Sequence, residues 1–304
     1  LVADLVPSRY RSLATGSVTF QMCVGAIVFL MLGRMLGMQT AFFIAAGTVL
    51  AIAVAFVAGV HERPQAASGT EATFRSLIDA VSSIARGAIP GLRWMFIATL
   101  LLQMVFQSFT TWFALHGTER FRVGPEEVTI GFIAWALGGV AGSLPAGFIG
   151  VRIGRRNAIL LGFAVMGVCL IALDRVSGAR ALILLIALTS AAWTLPSVNA
   201  YPLFIEQIPR QRRGVLAAMY LLSMALGGAI GDPLNGAIFD LAGSYQPLFL
   251  LMGAYTALAF VAGLAPIAWG LPLKAPGPAP AIRLGPFAAF FAVCALANAL
   301  LAVL

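Results

Sequence analysis

The sequence predicts an all-α protein that crosses a membrane many times, and three observations predict it. Of its 304 residues, 61% are hydrophobic and 10% charged, with a mean hydropathy of +0.96. Soluble domains carry about 25% charged residues because they must present polar faces to water. The apolar residues fall in runs of about 20, the length at which an α-helix crosses the hydrocarbon core. Short arginine clusters separate the runs, so the net charge of +8 marks loops held at one membrane face rather than a surface for nucleic acid.

Taken in order, nine runs have this character: 13–32, 40–60, 94–115, 128–150, 158–173, 181–205, 215–239, 247–271 and 284–304. The fifth is short for a span. The last is either an extra helix or the start of something further. Between the second and third runs, 61–93 opens with HERPQAASGTE and continues with Phe74, Leu77, Ile78, Val81 and Ile84 at helical spacing, which predicts a linker followed by a surface helix. Five prolines in LPLKAPGPAPAIR exclude a continuous helix there, so 272–304 reads as a stiff linker and a possible extra transmembrane helix. Cys23, Cys169 and Cys294 each sit inside an apolar run, with no CxxC spacing and no His nearby. Neither a zinc site nor a disulfide framework is expected from them. Leu1 is followed closely by Asp4 and a basic loop, which is not a signal peptide; with no initiator Met, the sequence reads as incomplete.

Orientation follows from the basic residues, because Lys and Arg in short loops stay on the cytoplasmic side. Of 19 such residues, most fall in alternate connections: Arg9 and Arg11; Arg63, Arg75, Arg86 and Arg93; Arg152, Arg155 and Arg156; Arg210, Arg212 and Arg213; Lys274 and Arg283. One connection has an echo. Asp4, Val6, Pro7, Arg11 and Gly25 stand at one constant offset from Glu206, Ile208, Pro209, Arg213 and Gly227. Both copies lie at the same face, so the chain contains a parallel repeat, as in transporters built from two six-helix halves. On that ruler, 1–60 is the remnant of a first half, 61–93 the connection and 94–271 the second half, and about 110 residues of first half would precede Leu1.

The stretch GFIGVRIGRR, Gly147 to Arg156, resembles the GxxxDRxGRR loop motif of the major facilitator superfamily. Gly147, Arg152, Gly154, Arg155 and Arg156 match, while Val151 takes the place of the acid. A longer stretch, AAWTLPSVNAYPLFIEQIPRQRRGVLAAMY followed by GDPLNGAIFDLAGSYQPLF, resembles helices 10 and 11 of that family's sugar:cation symporter branch, which includes sucrose-transporter-like members. Trp193, Asn199, Pro202, Glu206, Gly214, Pro233, Leu234, Gly236 and Asp240 take the corresponding places. The resemblance implies a bundle of helices 5 to 12, a multi-pass protein of the cytoplasmic membrane, and solute transport by alternating access. It also implies a small-molecule substrate and a coupling ion, proton or sodium, with a monomer as the expected state.

Several residues are candidates for that work. Asp232 lies inside an apolar run, where translocon scales place an Asp at about +2.5 to +3.5 kcal/mol. It reads either as a coupling site or as an acid near enough to the helix end to be hydrated. Gln103, Gln107, Thr110 and Thr111 fall on one helical stripe flanked by Phe106, Phe109, Trp112 and Phe113. Amides beside aromatic rings suit a polyol, and interhelical hydrogen bonds with an aromatic belt account for them equally. Gln103, Gln107, Thr111, Trp193 and Asn199 are the substrate-binding candidates. His116 reads as a solvated end residue or a proton relay. Asp4 and Glu206 are expected to pair with Arg11 and Arg213 in a cytoplasmic gate that also takes in Arg152, Arg155 and Arg156.

No GxSxG, HExxH, Walker loop or strand-borne GxGxxG occurs, so no enzyme, cofactor or metal site is expected. Besides uptake of a polar solute, with a sugar as the first candidate, two alternatives remain. One is proton-driven efflux of amphipathic compounds. The other is a transporter-like fold that binds a partner without transporting, which the absent acid at Val151 motivates.

Overall fold

The structure, a computed structural model, describes residues 6–59, 82, 90–122, 124–206 and 213–268. Among them all regular structure is helical. A 3-10 turn, Ser8–Tyr10, leads into α1 (Arg11–Leu36), followed by α2 (Met38–Gly59), α3 (Pro90–Arg120), α4 (Pro125–Ile153), α5 (Arg155–Arg175), α6 (Ala179–Glu206), α7 (Arg213–Ala242) and α8 (Leu248–Ala268). All eight helices are long and apolar enough to cross a membrane. The surface helix expected within 61–93 and the linker and extra helix expected over 272–304 lie outside the described residues.

Six of the helices, α1 and α3 to α7, run past their apolar runs at both ends. The fifth run, short as hydropathy reads it, becomes the 21-residue α5 because its ends are Arg155, Arg156, Asp174 and Arg175. Those ends keep polar groups at the membrane boundary. The turn between α4 and α5 is a single residue, Gly154, at φ 89°, a conformation that a side chain would strain. This explains the glycine of the loop motif. Prolines sit inside α4 (Pro145), α6 (Pro196 and Pro202) and α7 (Pro233), where each removes one backbone hydrogen bond that neighbouring helices must offset.

Packing joins α3 to α7 and α8, α5 to α6 and α8, and α4 to α6, while α1 lies against α4 and α6. Small residues permit the closest approaches. A Cβ on Gly138 would lie 2.0 Å from the Ala187 carbonyl oxygen, which brings α4 against α6, and one on Gly16 would lie 2.6 Å from that of Ser143, which brings α1 against α4. In lipid such close contact replaces the hydrophobic drive that packs soluble helices. Helix α2 packs on α1 and turns most of its apolar side chains, Phe43 and Val57 among them, outward.

Candidate functional site

Helices α3 and α7 meet along a strip of glycine. A Cβ on Gly227 would lie 2.7 Å from the Gln103 Cβ, and one on Gly228 would lie 3.4 Å from the Gln107 Cγ. The strip lets two glutamine side chains reach across to α7. There Gln107 Nε2 donates to Asp232 Oδ2 at 3.4 Å. The other carboxylate oxygen, Oδ1, is buried and has no hydrogen-bond partner among the described residues. A half-matched acid at membrane depth can take a proton, a cation or a donor from a ligand, because each of these removes the unmet demand of that oxygen.

One turn further along α7, a second polar group is completely matched. Tyr255 Oη donates to Asn235 Oδ1 at 2.8 Å, Asn235 Nδ2 donates to Ser108 Oγ at 2.7 Å, and Ser108 donates to the Met104 carbonyl at 2.6 Å. The chain ties α8, α7 and α3 together beside Asp232. Sequence reasoning passed over Ser108, Asn235 and Tyr255. The available signal was Asn235, an amide three residues beyond Asp232 in an apolar helix.

Aromatic rings cover the other flank of α3. Phe106 stacks on Trp193 of α6 at 5.2 Å, Trp193 lies 6.2 Å from Trp135 of α4, and Trp135 stacks on Phe109 at 4.2 Å. Trp193 Nε1 is buried without a hydrogen-bond partner among the described residues. Trp193 therefore packs on the residue next to Gln107. Thr110 and Thr111 are exposed, and Thr110 Oγ1 bonds back to the Phe106 carbonyl at 3.1 Å. Asn199 is placed elsewhere. Its amide nitrogen donates to the Ala146 carbonyl at 3.0 Å and the Leu195 carbonyl at 2.9 Å, which fastens α6 to α4 nearer the arginine-rich end.

At that end a charged cluster joins α6, α5 and α1. Glu206, in the last turn of α6, pairs with Arg155 and stands 3.9 Å from Arg11 Nη1. Arg155 Nε donates to Ser12 Oγ at 2.8 Å, its Nη2 donates to the Ser8 carbonyl, and Arg11 Nε donates to the Val6 carbonyl at 3.2 Å. Helix α6 delivers its acid to the first residue of α5, where the positive helix end adds to the attraction. The groups are withdrawn from water, with side-chain exposures of 4% for Arg11, 2% for Arg155 and 10% for Glu206. Asp4 and the side chain of Arg213 lie outside the described residues. Arg152 is exposed in the last turn of α4. The Nε and Nη2 of Arg156 are buried with no hydrogen-bond partner among the described residues, so of the three loop-motif arginines it is Arg155 that joins the clasp.

The opposite end is tied by α3. Glu119 accepts from the Ser244 hydroxyl and, at 2.8 Å, from the Tyr245 backbone N–H, while Arg120 pairs with Asp174 at 3.4 Å. His116 was expected in solvent and is fully buried, because the α7–α8 turn closes over it and Phe249 packs on its ring. Its Nδ1 lies 2.8 Å from the Tyr245 carbonyl oxygen. A carbonyl only accepts, so Nδ1 carries the proton.

The sequence model of the Major Facilitator Superfamily matches residues 116–304. Among solved structures, the chain is similar to that of a point variant of the E. coli fucose:proton symporter FucP, with a TM-score of 0.53 and 17% identity over 75% of this chain and 55% of that one. Identity at that level shows a shared fold. The chain spans 55% of the length of that structure. No curated protein sequence gives a significant match.

Proposed function

The chain belongs to the Major Facilitator Superfamily, and from that premise we propose that it is part of a secondary active transporter that moves a small polar solute, a sugar in the first instance, coupled to protons or another cation. The observation that carries the reading is Asp232, an acid within a membrane span that holds one glutamine and leaves one buried oxygen unmatched. Protonation removes a charge whose burial is costly, so it favours states in which the acid is shut from water. On this reading Gln103 and Gln107, which reach toward α7 beside it, and Thr111 supply amide and hydroxyl contacts for a polyol, with the Trp193 ring on the other flank of α3. Asn199 instead fastens α6 to α4 nearer the arginine-rich end. A shared fold with a protein described as a fucose:proton symporter supports the sugar and the proton alike.

The same reading divides the chain into the end of a first half, 1–60, and a second half, 94–271, in a monomer of the cytoplasmic membrane. Glu206, Arg155 and Arg11 then form a cytoplasmic gate between halves, closed in this structure, which must open when the halves rock. On this division the solute path runs between the halves, so uptake is measured on a protein that carries both. In proteoliposomes, an imposed pH gradient is expected to drive accumulation of a labelled sugar, and Asp232→Asn is expected to abolish the gradient-dependent part while leaving expression and counterflow. Accumulation that ignores the gradient, or an unchanged pH profile in Asp232→Asn, removes Asp232 from coupling. The aromatic cluster of Phe106, Trp193 and Trp135 favours a second reading, proton-driven extrusion of amphipathic compounds, which the direction of net movement distinguishes.

A further inference from the structure

On the membrane-facing side of the bundle, away from Asp232 and both charged ends' inner contacts, α5 and α8 diverge and leave a groove of about 690 Å³. Small residues form its floor, Gly167 on α5 and Gly253 on α8, and exposed Val168, Ile171, Leu250 and Val261 form its rims. It runs from Asp174 and Arg175 to Phe163 on one side and from Phe249 to Val261 on the other. Twelve residues of helix rise make that about 18 Å, close to one leaflet's share, about 15 Å, of the hydrocarbon core. A partner transmembrane helix needs a seam along the whole bilayer. This groove stops near the middle.

Its mouth is charged. Arg120 holds Asp174 at 3.4 Å, and Arg175 stands 4.0 Å from the same carboxylate with 82% of its side chain exposed. Two guanidinium groups face the Asp174 carboxylate, and most of the Arg175 donors are free for an anion. An apolar slot one leaflet deep under a spare arginine has the shape and charge of a phospholipid site, and its volume is that of an ordinary ligand pocket.

We propose that the groove between α5 and α8 binds one anionic phospholipid of the leaflet opposite the arginine-rich loops, an acyl chain over Gly167 and Gly253 and the phosphate on Arg175. The space at both glycines provides the test. A Cβ there would meet its nearest neighbour at 3.7 Å and 4.0 Å, ordinary contact, so a side chain can begin at both positions and leucine carries its outer carbons into the groove. The full chain is reconstituted into nanodiscs of mixed phosphatidylglycerol and phosphatidylcholine, released, and weighed by native mass spectrometry. One retained phosphatidylglycerol is expected, preferred about fivefold, the effect of one arginine near an anionic surface. Arg175→Gln, a change at an exposed side chain that leaves the fold intact, is expected to erase the preference. The double change Gly167→Leu and Gly253→Leu is expected to remove the adduct with either lipid. Retention without preference, a preference that survives Arg175→Gln, or an adduct that survives both leucines overturns the proposal. So does a dimer that the leucines dissociate, which assigns the groove to a second copy, or an adduct that forms only on deletion of 272–304, which assigns it to that segment.

Discussion

Both ends of the bundle are tied by charged side chains, and the two ties differ in what they join. At the arginine-rich end, Glu206 and Arg155 belong to α6 and α5, while Arg11, Ser12 and Ser8 belong to α1 and the turn before it. The contacts are buried and cross from α1 to the α3–α8 bundle. At the other end, Glu119 and Arg120 of α3 hold the α7–α8 turn and Asp174 of α5, all within one bundle and closer to solvent. A buried ion pair is poor at adding stability but severe when half of it is removed, which suits a contact that opens as a unit. Exposed pairs cost little to lose and suit the holding of a loop. On the proposed division, the first tie gates two bodies and the second keeps one of them rigid.

The largest expected effect breaks the first tie. Glu206→Gln strands the guanidinium groups of Arg11 and Arg155 without their carboxylate, and should cost about 3 kcal/mol or more. The loss is read as a lowered melting temperature in detergent, together with faster reaction of a Ser12→Cys reporter with a water-soluble maleimide. Replacing the whole cluster by leucines, Arg11→Leu and Arg155→Leu with Glu206→Leu, should recover much of the stability but leave the reporter reactive. A Glu206→Gln protein that melts and labels like its parent shows that the clasp neither holds nor gates.

An intermediate effect lies between the ends. Asn235→Leu leaves the Tyr255 hydroxyl buried without its acceptor and should cost about 1 kcal/mol, in the range of polar pairs between membrane helices. Tyr255→Phe should cost less, since Asn235 keeps Ser108. Neither change is expected to alter labelling at Ser12→Cys, because this network ties α3, α7 and α8 alone. Labelling that does rise couples the middle of the bundle to its gate.

This network also shows where sequence reading stops. The spans were legible because a run of about 20 apolar residues is a local signal, and Asp232 was legible because a charge inside such a run is conspicuous. An amide such as Asn235 and a lone hydroxyl such as Tyr255 weigh less on any hydropathy scale, and their meaning depends on the helix opposite. The Arg155 partner of Glu206 was hidden for the same reason. Arg213 is near in sequence, whereas Arg155 becomes near only when α6 returns beside the Gly154 turn. His116 looked solvated because nothing local announces that the α7–α8 turn folds over it.

The smallest expected effect tests the second tie. Arg120 and Asp174 are partly exposed at 3.4 Å, so Arg120→Gln should cost under about 1 kcal/mol, and salt should narrow the gap further by screening the pair. The informative measurement is again the Ser12→Cys reporter at the opposite end. If the outer tie belongs to one rigid body, its loss leaves labelling at the gate unchanged even where the melting temperature falls. If labelling rises, α3 and α5 carry strain from one end to the other, and the two ties are parts of a single device rather than a gate and a brace.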